Sequence, residues 1–220
     1  MPALDEASAS MVARMIEFAF PHGRFEARGT WWKSRDVIKV SGIDQVSESI
    51  TRVTVDDLGY EAETAGKLWW VPYRIAMASS QGNSPSLSMR VLGIPLPVPN
   101  FAARRGAAAV LGALPYCPFA LDHPSIAWRA IDDTCLEASG TQGRAGPKFT
   151  YEIDETGRVI GIAPESARFL PGQRMHLRTS IAKYHERDGV RVPAEATLNT
   201  SAGRETKRTA ITVTDSAVIR

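Results

Sequence analysis

From Ser125 to its C-terminus the chain reads as one strand-like segment after another: "SIAWRAI", "TCLEAS", "KFTYEID", "GRVIGIA", "RMHLRTSIAKYHE", "RVPAEATLN" and "RTAITVT". Gly, Asp or Pro separates each from the next, and "DETG" and "RDG" have the composition of hairpin turns. Strands that follow one another through tight turns pair antiparallel. In this number, and with only two helical stretches beside them, they predict a mainly β (α+β) fold. The expected form is a large curved antiparallel sheet or open half-barrel, with two helices packed on it or plugging it.

The first helix is predicted over residues 5–20, where Met11, Val12, Met15, Ile16 and Ala19 make one apolar stripe before Pro21, His22 and Gly23 break it. The second is predicted over 101–114, with Asn100 as its N-cap and Ala103, Ala107, Val110 and Leu114 on one face. Between them "RFEARGTWW", "DVIKVSG", "SITRVTV", "LWWVPYRIAMA" and "LSMRVLG" read as strands, Pro72 arguing for an edge position or a bulge. A chain of 220 residues can bury roughly 70% of its unfolded surface. One β-rich domain over 1–220 is therefore the expected organisation.

Composition removes several function classes. The formal net charge is +2 and no basic block stands out, so no nucleic-acid partner is expected. Cys117 and Cys135 are far apart and form no CxxC pair; a disulfide is possible and a zinc or redox motif is not indicated. His176 and His185 are a poor metal pair, and "SGTQGRAGP" lacks the Lys-Ser/Thr of a phosphate loop, so neither metal nor cofactor is implied. Asp5 and Glu6 stand where a secretory leader would be basic. The longest small-apolar run, Gly106 to Leu114, is too short to span a bilayer. The expectation is a cytoplasmic protein with no membrane span, its oligomeric state left open.

Two tryptophan doublets, Trp31–Trp32 and Trp69–Trp70, lie in strand-like contexts, where neighbours point to opposite faces. One ring of each pair can fill a core while the other, with Trp32 and Trp70 as the candidates, lines an apolar cavity. "YCPFALDHPSIAW" adds Tyr116 and Trp128 as ligand-binding candidates and places Asp122 and His123 side by side. That pair is either turn chemistry or an acid/base group at the mouth of a cavity. In the strand "RMHLRTSIAKYHE", Met175, Leu177 and Ile181 alternate with Arg174, His176, Arg178 and Tyr184. If the second set faces inward, His176, Arg178 and Tyr184 become polar groups of the pocket.

One further pattern concerns residues 87–200. "MRVLGIPLPV", an Ala-rich helix, "LPYCP", the lone Trp128, "FTYEID..G" and "YHERDGVRVPAE" together resemble a widespread bacterial family of unknown function. Ala113 stands where that family has an acidic residue, and Tyr116-Cys117 replaces a Trp-Phe pair. The resemblance implies an antiparallel half-barrel wrapped on helices, similar to bacterial lipoprotein carriers, and implies no activity.

The sequence thus points to a protein that binds a small hydrophobic or aromatic molecule in an aromatic-lined cavity. The alternative is a cofactor-independent lyase, isomerase or cyclase with His176, Tyr184, Asp122 and His123 as its acid/base groups. A lipid carrier is a second alternative, disfavoured by the absence of an export signal.

Overall fold

The computed structural model describes residues 5–40, 43–57, 59–68, 70–80, 86–98, 111–140, 148–165, 167–170, 173–202 and 205–220. Helix α1 spans Glu6–Ala19. Asp5 caps it, its Oδ1 accepting from the Ser8 N–H at 2.8 Å and so satisfying a donor that the helix start leaves over. Met11, Val12, Met15 and Ala19 form the buried stripe expected from their spacing. Gly23, at φ +91°, then turns the chain away.

Among the described residues fourteen strands form one antiparallel sheet. The first half supplies β1 (Gly29–Val40), β2 (Ile43–Asp56), β3 (Gly59–Leu68), β4 (Val71–Ser80), β5 (Ser86–Val91) and β6 (Ile94–Leu96). The second supplies β7 (Ile126–Ala130), β8 (Cys135–Gly140), β9 (Lys148–Ile153) and β10 (Val159–Pro164). It continues with β11 (Ala167–Leu170), β12 (Gln173–Arg187), β13 (Val190–Ala202) and β14 (Glu205–Ile219). The order is β6-β5-β4-β3-β2-β1-β14-β13-β12-β10-β9-β8-β7, with β11 paired to β12 off that path. Pairing of β1 with β14 joins the two halves of the chain into one sheet. The sheet is open and curved, and strands hold 66% of the chain, so the mainly β expectation stands.

The expectation of two helices needs correction: α1 is the one full helix among the described residues. Leu111 and Gly112 are helical, but Pro115 and Pro118 then hold the chain in 3-10 turns at Leu114–Tyr116 and Pro118–Ala120. Asn100 and residues 101–110 lie outside the described residues. No helix among the described residues is long and apolar enough to cross a membrane.

Strand register differs from the sequence reading at two places that matter for the site. Leu68 pairs with Val71, so Trp70 falls in the turn between β3 and β4 and is 74% exposed, in place of the expected strand position. Trp69 lies outside the described residues. On β12 the pairing with β13 shifts between Ile181 and Tyr184, and the bulge reverses the alternation. Tyr184 therefore turns to the core face with Ile181, while His176 and Arg178 are exposed. His176, Arg178 and Tyr184 do not share one face. Pro72 sits at the second position of β4, an interior strand, beyond the end of its pairing with β5.

One half of the concave face is sealed. The α1 stripe belongs to the same buried cluster as Tyr151, Ile153, Val159, Ile181, Val190 and Val192, and the connection 114–125 runs across beside it as a strap. Thr30 Oγ1 donates to the Tyr116 carbonyl at 2.6 Å, and Phe119 meets Phe20 and Phe25 edge-on. These contacts pin the strap to β1 at one point and to the end of α1 at another.

Candidate functional site

Directly opposed residues of paired strands share a face, so the register traces the concave surface beyond the strap. One row runs Thr30, Val53, Ala62, Met77, Leu87. The next runs Trp32, Thr51, Thr64, Ile75, Met89, Leu96, and a third runs Ser34, Ser49, Gly66, Tyr73, Val91, Ile94. The first row begins in the buried core. Along β4, β5 and β6 the same face becomes an apolar stripe whose members are only half-buried or, at Ile94 and Leu96, exposed. The opposite face of β5 carries Ser86, Ser88 and Arg90, so the alternation is clean and the stripe is the one apolar side of that strand.

Between the sealed half and the stripe, the face is polar. Ser34, Ser47 and Ser49 are buried, with Ser34 and Ser49 hydroxyls 3.1 Å apart and Ser47 Oγ donating to the Lys67 carbonyl at 3.1 Å. Asp36 follows Ser34 on this face of β1 and opposes Ser47. Its Oδ1 is shielded from solvent with no hydrogen-bond partner among the described residues. Burial raises the Asp36 carboxyl above its ordinary value, with the Ser34 hydroxyl pulling the other way. Burial first, and then the Asp36 charge, push the Tyr116 phenol upward. At Gly66 an added Cβ would stand 2.8 Å from Tyr73 Oη and 2.8 Å from Ser49 Cβ. The glycine thus leaves room for the Tyr73 hydroxyl to reach over the floor.

The raised carboxyl has a measurable consequence. A folded-state value above the unfolded one means that the native state holds the proton more tightly, so the ionised form destabilises the fold at neutral pH. That penalty is full above the raised value and fades as pH falls through it toward the ordinary carboxylate range. Asp36→Asn should therefore stabilise the protein at pH 7 by roughly 1 kcal/mol, the scale of a buried polar group lacking a partner. The gain should shrink on acidification in urea titrations. A variant less stable than wild type at pH 7 sinks this reading.

The residues singled out from the sequence occupy other places. Trp32 is buried and stacks on Tyr116 with ring centroids 5.0 Å apart. Trp128 is buried, donating from Nε1 to the Leu121 carbonyl at 2.7 Å and meeting Tyr151 edge-on at 5.3 Å. These rings fill space against protein. Arg178 pairs with Glu152 at 2.5 Å on the surface, and Trp70 stands in its exposed turn.

The four acid/base candidates do not meet. Asp122 is exposed and paired with the Arg24 guanidinium. His123 is buried, its Nε2–H donating to the Asp56 carbonyl at 2.7 Å and its Nδ1 accepting from Ser125 Oγ at 2.6 Å. Both ring nitrogens are thereby engaged, which makes it a clamp between the strap and the end of β2. Tyr184 donates to the Val159 carbonyl at 2.9 Å and packs edge-on against Phe18, and burial raises its phenol far above neutrality. His176 is exposed on β12, ~26 Å of strand away from Tyr184. Burial also pushes the Cys117 thiol up to about 11, so it stays protonated and inert as a nucleophile. Among the described residues no cluster of His, Cys, Asp or Glu could hold a metal ion.

Asp36 escaped the sequence reading, although its signal was there. In "TWWKSRDVIKV" the period of two puts Trp32, Ser34, Asp36 and Ile38 on one side. A carboxylate on the side of a buried tryptophan is the anomaly to look for.

No family model matches the chain, and no curated protein matches it. Solved structures do. A "putative outer membrane lipoprotein-sorting protein domain" from Vibrio parahaemolyticus superposes with a TM-score of 0.57 at 12% identity, over 97% of this chain and 91% of that one. A DUF1329 family protein from Desulfovibrio piger gives 0.56 at 9% identity, over 97% and 92%. A LolA superfamily protein from Nitrosomonas europaea gives 0.48 at 10% identity, over 97% and 93%. The fold class is the open curved antiparallel sheet that this chain shares with the first two of these structures, in line with the half-barrel that the sequence resemblance implied. At these identities the likeness establishes fold.

Proposed function

We propose that the protein binds and carries an apolar chain, such as the acyl chain of a lipid-like amphiphile, along the concave face of β4, β5 and β6. The observation that carries this reading is the half-covered apolar stripe through Ile75, Met77, Leu87, Met89, Ile94 and Leu96, on the face that continues into the core. Exposed apolar surface of this extent on one face of a sheet marks an interaction site more often than idle surface. The likeness to a structure described as lipoprotein-sorting supports a lipid-like occupant over a compact aromatic one. So does the stripe's make-up, which is Ile, Met, Leu and Val where tryptophan rings were expected. Dispersed acid/base candidates give no support to the enzyme alternative.

The test uses 1-N-phenylnaphthylamine, whose emission rises on entering apolar surroundings, with laurate and 1-dodecanol as competitors. Met89→Glu should weaken probe binding about tenfold or more, because it replaces an apolar side chain that the ligand covers, worth ~2 kcal/mol, by a charge. The introduced carboxylate faces the half-open stripe, where water can reach it, so folding should be kept, checked by circular dichroism. Unchanged probe affinity in a folded variant places the ligand elsewhere.

A further inference from the structure

We propose that Asp36, with the hydroxyls around it, is a receptor for the hydrogen-bond-donating head group of the amphiphile whose chain lies along β4 to β6. The inference rests on the carrier reading for the chain and adds the chemistry of its other end.

The rows of the concave face make the geometry. From β6 inward they run apolar through β5 and β4, then change character at β2 and β1. Ser34 and Ser49 end the row that begins at Ile94, and Asp36 and Ser47 stand in the row that begins at Val71. Neighbouring strands are ~4.8 Å apart, so Asp36 on β1 is roughly 14 Å from β4, where the stripe begins, and roughly 19 Å from β5. An extended chain of about twelve to sixteen carbons laid across the strands, with its head at Asp36, reaches the stripe at β4 or β5.

The floor is built as an acceptor. Its hydroxyls can turn either way, but the carboxylate can only accept, and Asp36 Oδ1 has no donor among the described residues. Serines at these positions contribute no apolar burial where Val53 and Ala62, two rows from Ser49, contribute fully. On the other side Ile211 of β14 opposes Asp36, and no Lys, Arg or His ion pair to it occurs among the described residues. The group that completes the site is a donor: the ammonium of a cationic amphiphile or the hydroxyls of a polyol head. An anionic head is repelled.

Three twelve-carbon probes separate the outcomes: dodecylammonium, 1-monolaurin and laurate, each titrated below its critical micelle concentration against the full chain. Wild type should bind dodecylammonium or monolaurin about tenfold or more tighter than laurate, because the head meets a charge-assisted hydrogen bond in a water-poor site. Dodecylammonium ahead of monolaurin assigns a cationic head; the reverse assigns a hydroxylated one. Asp36→Asn should reduce the discrimination against laurate to within about threefold while the probes still bind. Ser49→Ala, which removes one hydroxyl of the floor, carries the same test should Asp36→Asn fail to fold; it should weaken monolaurin and leave laurate unchanged. Equal binding of laurate in wild type, or full discrimination retained by Asp36→Asn, overturns the head-group site and leaves the carrier reading standing. Failure of all three probes to bind overturns both.

Discussion

Gly157→Ala should lower the stability of the protein by about 3 kcal/mol, a fall in midpoint of roughly 6–12 °C for a chain of this size. Gly157 sits at φ +84° in the hairpin between β9 and β10, where Asp154 Oδ1 accepts from the Thr156 and Arg158 N–H groups. The left-handed conformation alone costs a non-glycine residue about 1 kcal/mol. The larger part of the effect comes from outside the turn. An alanine Cβ would stand 2.2 Å from the Arg14 carbonyl oxygen and 2.4 Å from its carbon, both backbone atoms of α1. Backbone cannot swing aside as a long side chain can, so α1 must lift or the hairpin must bend.

Gly23 supplies the control. Its φ is +91°, yet nothing lies within 4 Å of the Cβ that alanine would add. Gly23→Ala should thus cost only the conformational part, about 1 kcal/mol. The difference between the two variants in urea melts measures how firmly α1 is seated on the sheet. Equal losses would mean that the helix does not rest on this turn.

Much of the fold was legible in the sequence because it is written in short-range patterns. The stripe on α1 and the strand boundaries from Ser125 onward depend on periodicity and on turn residues, and both survive in the structure. The hairpins at Asp154–Arg158 and Asp188–Gly189 have positive-φ glycines where the composition predicts them. Register is a different kind of information. A shift of one residue at Ile181–Tyr184 moves a side chain to the other face, and no local feature of "SIAKYHE" announces it. Trp70 is misplaced for a similar reason: strong strand formers on both sides draw the doublet into the strand, while pairing of Leu68 with Val71 makes the turn. The candidate site was less legible still. The stripe and the floor are each contributed by several strands, and only the pairing of β1 through β6 aligns Ser49, Tyr73 and Ile94 in one row.

Trp128→Ala should cost about 4 kcal/mol, and Trp128→Phe about half of that. Trp128 lies on β7 at one end of the strand order, yet it is only 6% exposed. The sequence suggests cavity lining for this ring, but its contacts are those of core. It meets Tyr151 edge-on, and Tyr151 is fully buried with its hydroxyl donating to the Leu111 carbonyl. Its indole N–H holds the Leu121 carbonyl of the strap at 2.7 Å. Truncation to alanine removes the ring, leaves a cavity beside Tyr151 and frees the strap at this point, which together match the cost of deleting a buried aromatic. Phenylalanine restores most of the packing but cannot donate, so the Leu121 carbonyl is left without its partner, a loss of roughly 1–3 kcal/mol. Tryptophan emission gives an independent readout: the part of the signal lost in Trp128→Phe should be blue-shifted and should not respond to an apolar ligand bound on β4 to β6. An alanine variant within about 1 kcal/mol of wild type would show that the ring packs on nothing and that the strap is held from elsewhere. A ligand-induced change that vanishes in Trp128→Phe would move the binding site to the sealed half of the sheet.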